Sequence, residues 1–286
     1  MIKLKILAEN YKKKFSEIGI KNAFHEVNWI IEEAADIFLG KKISLFKGQF
    51  TRKDIDIITF CLDKRLERVP ISRIFQKSYF RNLELFLCNH NFIPRIDSEV
   101  LIDVLLKKKL VLNNVLELGT GSGAIIISLL KETLNVKAIA TDISYEAIYM
   151  AKKNAIINGV ENKVQFICCN WLDSFVNSDF DLIVANPPYI KTEVIKDLDP
   201  EVKYHDPLIA LDGGEDGLVA YNKIIIALKP LLKSDTIILF EIGYDQGEKV
   251  SNLMRESEIM YVKVFEDHSK KPRFVLGTNK KNLISY

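Results

Sequence analysis

Apolar residues recur in two different rhythms along the chain. Over residues 1–75 they return at helical spacing, and from residue 113 onward they come as short unbroken runs separated by helical stretches. In the first part, Ile2, Ile6, Tyr11 and Phe15 share one face of a helix. Val27, Ile30, Ile31, Ala34, Ala35 and Phe38 mark a second, with Gly40 as its stop. Thr51 is placed to cap a third helix, with Asp54 three residues on in the manner of a capping box. Ile55, Ile58, Leu62 and Leu66 give that helix its apolar side, and Pro70 ends or interrupts it. A small helical domain over 1–75 is expected, and nothing in it stands at catalytic spacing. It is a support or a module for docking a partner protein.

Residues 76–93 change character. Two short apolar runs flank Arg81-Asn82, which suggests a β-hairpin connector. Ser98 then stands where it can cap a helix carrying Val100, Leu101, Val104 and Leu105. Strands are expected at 115–118, 136–141, 164–168, 180–185, 236–241, 259–265 and 273–277. Helices are expected at 124–130, 145–157, within 216–232 and at 246–255. Alternation of this kind predicts an α/β domain over 94–286, with a mainly parallel seven-stranded sheet between helices. The last two strands have no helix between them, so they form an antiparallel hairpin at one edge.

Composition narrows the functional classes. With 48% hydrophobic and 27% charged residues, the 286-residue chain can bury a core and stay hydrated. Its net charge of +2 argues against a dedicated nucleic-acid binder. The excess sits at the front, where residues 1–75 hold 15 Lys+Arg against 10 Asp+Glu. Cys61, Cys88, Cys168 and Cys169 have no CxxC spacing, and His25, His90, His205 and His268 are scattered, so no metal site is expected. The start, Met1-Ile2-Lys3-Leu4-Lys5, lacks the apolar region of a signal peptide. No apolar run reaches membrane-spanning length, so a cytoplasmic protein is expected.

Four stretches carry candidate chemistry, each just past a strand where α/β sheets bind ligands. Glu117-Leu118-Gly119-Thr120-Gly121-Ser122-Gly123 joins the first strand of the sheet to its helix. Its glycines permit a tight turn and a close backbone approach, and the helix N-terminus adds partial positive charge. The loop suits an adenosine-type ligand without separating NAD from others. Asp142 ends the second strand, where an acid accepts hydrogen bonds from ribose hydroxyls or caps the next helix; the ribose reading is favoured. Asn170-Trp171 follows the third strand, and the indole is either a platform for adenine or a core residue. Asn186-Pro187-Pro188-Tyr189 follows the fourth. The Asn186 side chain and the Pro187 carbonyl offer two acceptors, and Tyr189 offers a ring face. Such a clamp fits an –NH2 group whose delocalised lone pair must be aimed at an electrophile.

With these residues the chain resembles the HemK/PrmC family, S-adenosylmethionine-dependent methyltransferases that modify the glutamine of the Gly-Gly-Gln motif in class-1 peptide chain release factors. The glycine loop and Asn186-Pro187-Pro188-Tyr189 occur widely among amino methyltransferases. Further pieces are more specific to the family. They are Phe92-Ile93-Pro94-Arg95 with Glu99, the run from His205-Asp206-Pro207 through Gly213-Gly214 to Gly217-Leu218, Glu241-Ile242-Gly243 with Gln246, and Asp267 with Arg273. The resemblance covers essentially the whole chain. It implies a Rossmann-like class I methyltransferase domain and S-adenosyl-L-methionine as cofactor, with S-adenosyl-L-homocysteine as product. It assigns Gly119, Thr120, Gly121, Ser122 and Gly123 to the methionine and ribose, Asp142 to the ribose, and Asn170 and Trp171 to the adenine. Asn186 would touch both donor and substrate, and Asn186, Pro187, Pro188 and Tyr189 would hold the glutamine amide. A release factor would dock on the helical domain, and the enzyme is expected to act as a monomer without direct nucleic-acid contact.

Three positions depart from the family. Pro94-Arg95-Ile96-Asp97-Ser98-Glu99 replaces Pro-Arg-Pro-Glu-Thr-Glu, Asn170 stands for a common Asp, and Lys270 or Lys271 stands for a small Gly. Rival readings are an adenine-N6 nucleic-acid methyltransferase using the same clamp, a nonenzymatic S-adenosylmethionine-binding module and an NAD oxidoreductase.

Overall fold

The computed structural model describes residues 2–43, 49–108, 110–175 and 179–284, without the side chains of residues 2 and 3. The chain divides into two compact units: Met1–Gln76 with Pro200–His205, and Lys77–Asp199 with Asp206–Tyr286.

The first unit is built from α1 (Ile2–Glu17), α2 (Ala23–Leu39), α3 (Arg52–Leu66) and the single turn α4 (Ile71–Ile74). Phe15, Val27, Ile30, Ala34, Ile58 and Leu62 are fully buried at its centre. Each large apolar side chain so placed contributes about 1.5–3 kcal/mol. Two apolar positions fall outside the core. Ile6 is exposed because the buried stripe of α1 runs through Ala8, Tyr11 and Phe15, with Leu4 and Leu7 at its margin. Phe38 is half exposed at the end of α2 and rests its ring against Phe75. The side chain of Ile2, also expected on this face, lies outside the described residues.

Helix boundaries follow local chemistry. Gly40 ends α2 in the left-handed conformation, φ 62°. Thr51 and Asp54 form a full capping box: the Asp54 amide donates to Thr51 Oγ1 and the Thr51 amide donates to Asp54 Oδ2. Arg65 is buried and donates to Glu26 at 2.6 Å and to Glu201 at 2.9 Å. Arg68 also reaches Glu201, so two guanidinium groups tie the returning segment to α3.

The second unit opens with the hairpin β1 (Lys77–Phe80) and β2 (Leu83–Phe86), whose Phe80, Leu83 and Leu85 enter its core. Next come α5 (Glu99–Lys107), β3 (Asn114–Leu118), α6 (Ala124–Glu132), β4 (Lys137–Asp142), α7 (Tyr145–Ile157), β5 (Val164–Cys168) and β6 (Leu182–Ala185). The chain passes through α8 (Pro200–Lys203), in the first unit, and returns for α9 (Val219–Leu228), β7 (Ile237–Glu241), α10 (Gly247–Glu256), β8 (Tyr261–Glu266) and β9 (Pro272–Thr278). The seven strands lie in the order β5-β4-β3-β6-β7-β9-β8. The first five are parallel, and β9 runs antiparallel between β7 and the edge strand β8. Every residue of β6 and β7 is buried, as expected for central strands covered on both faces.

Ser98 does not cap α5. A 3-10 turn over Ile96–Ser98 runs straight into the helix, so Ser98 already has helical backbone angles and its side chain makes no capping bond. Among the described residues no helix is long and apolar enough to cross a membrane.

Candidate functional site

From β3 the sheet grows outward through β4 to β5, and the chain then crosses back to β6 on the other side of β3. A crevice opens at such a reversal, beyond the carboxyl ends of the strands. Here it is a cavity of about 570 Å³, a size suited to a nucleoside-type ligand. Gly119, Thr120, Gly121, Ser122, Asp142, Asn170, Trp171, Asn186, Pro188 and Tyr189 all line it. Gly123 and Pro187 do not: Gly123 is the residue that starts α6, and Pro187 is buried behind the wall.

The glycine loop is shaped by its sequence. Gly119 has φ 70°, and a Cβ there would lie 3.4 Å from the Trp171 ring, so the indole and the loop backbone lie in close contact. Trp171 itself adopts φ 46°, a strained angle for an aromatic residue. Its body packs on the core while the ring borders the cavity, so the platform and core readings of this residue describe two sides of one side chain.

Two carboxyl groups sit under the loop. Asp142 accepts from the Gly121 amide at 2.8 Å and from the Ser144 amide at 2.9 Å, and so braces the loop against the start of α7. Ser144, rather than Asp142, caps that helix by accepting from the Ala147 amide. Burial pushes the Asp142 carboxyl upward, against the pull of these amides. Glu117 is buried and accepts from the Thr120 hydroxyl. Burial, with the Asp142 charge nearby, pushes it up to about 8. Two desolvated acids facing one cavity favour a cationic ligand.

The clamp is held from behind. Gln246 Nε2 donates to the Tyr189 carbonyl at 3.0 Å and to the Gly217 carbonyl at 3.1 Å, while its Oε1 accepts from the Gly243 amide. Ile190 exchanges backbone bonds with Leu211 and Gly213. A Cβ on Gly213 would meet Tyr189 Cα at 2.8 Å and the Pro188 carbonyl at 2.9 Å, so only glycine lets this segment lie so close. The Tyr189 hydroxyl is pushed up to about 12 by burial and the Glu241 charge, against the pull of Arg273 and Arg95.

Residues outside the four stretches complete the wall. Phe92, Pro94 and Ser98 come from the segment before α5, and Ile143, Leu208, Ile209 and Lys223 from loops and α9. The first segment is pinned where Arg95 Nη2 donates to the buried Asp206 at 2.6 Å. Arg273 donates to Asp267, and Lys270 carries a left-handed backbone, φ 59°, inside that turn. A glycine would adopt that angle without strain. Periodicity does not find these residues, because most act from loops, and Lys223 on α9 and Arg273 on β9 are polar positions that it does not mark. Among the described residues no group of His, Cys, Asp and Glu is arranged to hold a metal.

Residues 95–200 match the methyltransferase small domain family. With the strand order and the glycine loop, this defines a class I S-adenosylmethionine-dependent methyltransferase. The chain is 34% identical over 268 residues to a release factor glutamine methyltransferase of Agrobacterium fabrum (strain C58), covering 92% of each chain. It is 32% identical to one of Caulobacter vibrioides, covering 93% of each. The chain therefore belongs to the release factor glutamine methyltransferase family. Among solved structures, the hMettl16 catalytic domain in complex with the MAT2A 3'UTR hairpin 6 shares the fold, with a TM-score of 0.57 at 16% identity over 73% of this chain and 81% of that one. Membership of a methyltransferase family removes the oxidoreductase reading.

Proposed function

We propose that the protein methylates the side-chain amide nitrogen of the glutamine in the Gly-Gly-Gln motif of class-1 peptide chain release factors. S-adenosyl-L-methionine, when bound, would supply a sulfonium-activated methyl group and leave as S-adenosyl-L-homocysteine, while the amide nitrogen gives up one of its two protons to solvent. The lining fits that donor. The loop from Gly119 to Ser122 gives a backbone cradle, Glu117 and Asp142 give acidic partners, and Trp171 gives a flat apolar shelf. In this reading Asp142 receives the ribose, and Asn170 and Trp171 border the adenine.

The observation that carries the reading is the neutral, rigid clamp opening onto the same cavity as the acidic loop. Asn186 Oδ1 accepts one amide N–H bond at the cavity face, and the Pro187 carbonyl, set behind that face, takes the second only when the substrate amide is seated against the clamp. Pro188 stiffens the turn, and the Tyr189 ring covers the amide plane. These residues orient the amide and exclude water, and positioning of this kind can supply much of a rate enhancement. The helical first unit docks the release factor. The protein works as a cytoplasmic monomer and needs no nucleic acid.

A methyl-transfer assay with labelled donor tests this, offering purified release factor in one arm and DNA in the other. Label on the factor's glutamine is expected. Label on DNA would replace the reading with base methylation, and label on neither would leave a binding module. Asn186→Ala is expected to cut transfer by at least about 100-fold, with melting curves to check that the variant still folds. Near wild-type turnover in that variant would remove Asn186 from the chemistry.

A further inference from the structure

Behind the clamp lies a carboxyl group that the reaction as described does not use. Glu241 is the last residue of β7 and is 2% exposed. In the parallel register Ala185 pairs with Phe240, so Asn186, the first residue past β6, comes level with Glu241, the last of β7. Neighbouring strands run about 4.8 Å apart, and paired residues point to the same face. Asn186 is thus carried out of the sheet beside Glu241.

The surroundings leave this acid incompletely satisfied. Among the described residues, Glu241 Oε2 and the Ser98 hydroxyl are both buried without a well-formed hydrogen bond. Arg273 faces Glu241 and attracts it, but its hydrogen bonds go to Asp267, the Ile242 carbonyl and the Tyr189 hydroxyl. Tyr221 donates to the Glu241 backbone carbonyl, not to the carboxyl. The neutral side chains that steady the carboxylate are Ser98 and Asn186. Asp97, from the turn before α5, adds like charge, and Tyr189 and Tyr221 complete the titratable groups around it.

We propose that Glu241 is a positioning residue for Asn186: its buried carboxylate takes the Asn186 Nδ2–H and so leaves Oδ1 to face the substrate amide. An amide side chain can turn either edge toward a neighbour. An ionised carboxylate only accepts, so it admits only the Nδ2 edge. A protonated carboxyl donates as well, and it can hold Asn186 by Oδ1. The –NH2 edge then faces the cavity, where it repels the N–H bonds of a substrate amide. Burial pushes Glu241 up to about 7, with Ser98, Arg273 and Asn186 opposing, so the exchange falls in the physiological range. The inference rests on Asn186 as the group that holds the amide.

The test has two readouts, one of which needs no substrate. In the wild-type protein alone, the Asn186 side-chain amide signal in 15N NMR is expected to shift with pH, with a midpoint near 7. In Glu241→Gln that titration is expected to vanish. With release factor, wild-type kcat is expected to rise with pH through the same midpoint. Glu241→Gln is expected to lower kcat on the order of 100-fold and abolish the pH limb, while KM for S-adenosylmethionine stays unchanged. Glu241→Asp, which keeps the charge, is expected to retain the limb, and melting curves show whether each variant folds. An Asn186 signal that ignores pH in the wild type, or titrates alike in Glu241→Gln, overturns the proposal. If release factor is no substrate at all, the function assigned above fails while the NMR titration still decides this inference.

Discussion

Glu117 shows how far a single residue can be read in advance. As the first position of the glycine loop it is visible in the sequence, but its burial is not, because burial depends on α6, whose Ile126 amide reaches its carboxyl. Its carboxyl is pushed up to about 8, so at neutral pH it is mostly protonated in the free protein. The proposed donor carries a sulfonium and an ammonium group. A cation beside Glu117 favours the ionised form, so binding is expected to release a proton below about pH 8 and to tighten as pH rises toward that value. Titration calorimetry of S-adenosylmethionine in buffers of different ionisation enthalpy measures the release directly. Glu117→Gln is expected to lose most of it; an equal proton count in the variant would separate Glu117 from the donor's charge.

At the scale of elements, the legible features are those whose cause is local. The Thr51–Asp54 capping box, the Gly40 stop and the strand ends follow from residues within a few positions of one another. Ser98 misleads because the preceding 3-10 turn removes the need for a cap. Ile6 and Phe38 mislead because periodicity marks the apolar residues of a helix but not the width of its neighbour. The clamp shows the same division. Asn186 to Tyr189 are plain in the chain, whereas the bracing by Gln246, Gly213 and Gly217 joins segments that only the fold brings together. Gly213 carries the clearest consequence. A methyl group there meets the Tyr189 and Pro188 backbone at 2.8–2.9 Å, and backbone cannot rotate away as a side chain can. Gly213→Ala is expected to displace the clamp and cost at least about tenfold in kcat, with donor affinity nearly unchanged. Equal losses in donor affinity and kcat would show that the loop collapses as a whole.

At the scale of the molecule, the proposed function divides chemistry and recognition between the two units. The cavity wall is drawn from the second unit alone. The first unit buries Phe15, Ile30 and Leu62 yet leaves Trp29 44% and Phe60 61% exposed on its helices. Aromatic side chains held on rigid helices lose little freedom when a partner covers them, and residues of this kind dominate protein interfaces. If they receive the release factor, their loss must affect whole factor and not the reacting glutamine. Trp29→Ala and Phe60→Ala together are therefore expected to raise KM for intact release factor at least about tenfold. KM for a short peptide carrying Gly-Gly-Gln, and the melting temperature, should not change. Lys64 lies 5.7 Å from the Phe60 ring, so the melting temperature also reports any loss of that contact within the unit. Unchanged kinetics on both substrates would move the docking surface off these helices, and a parallel rise in both would place the effect in the catalytic unit instead.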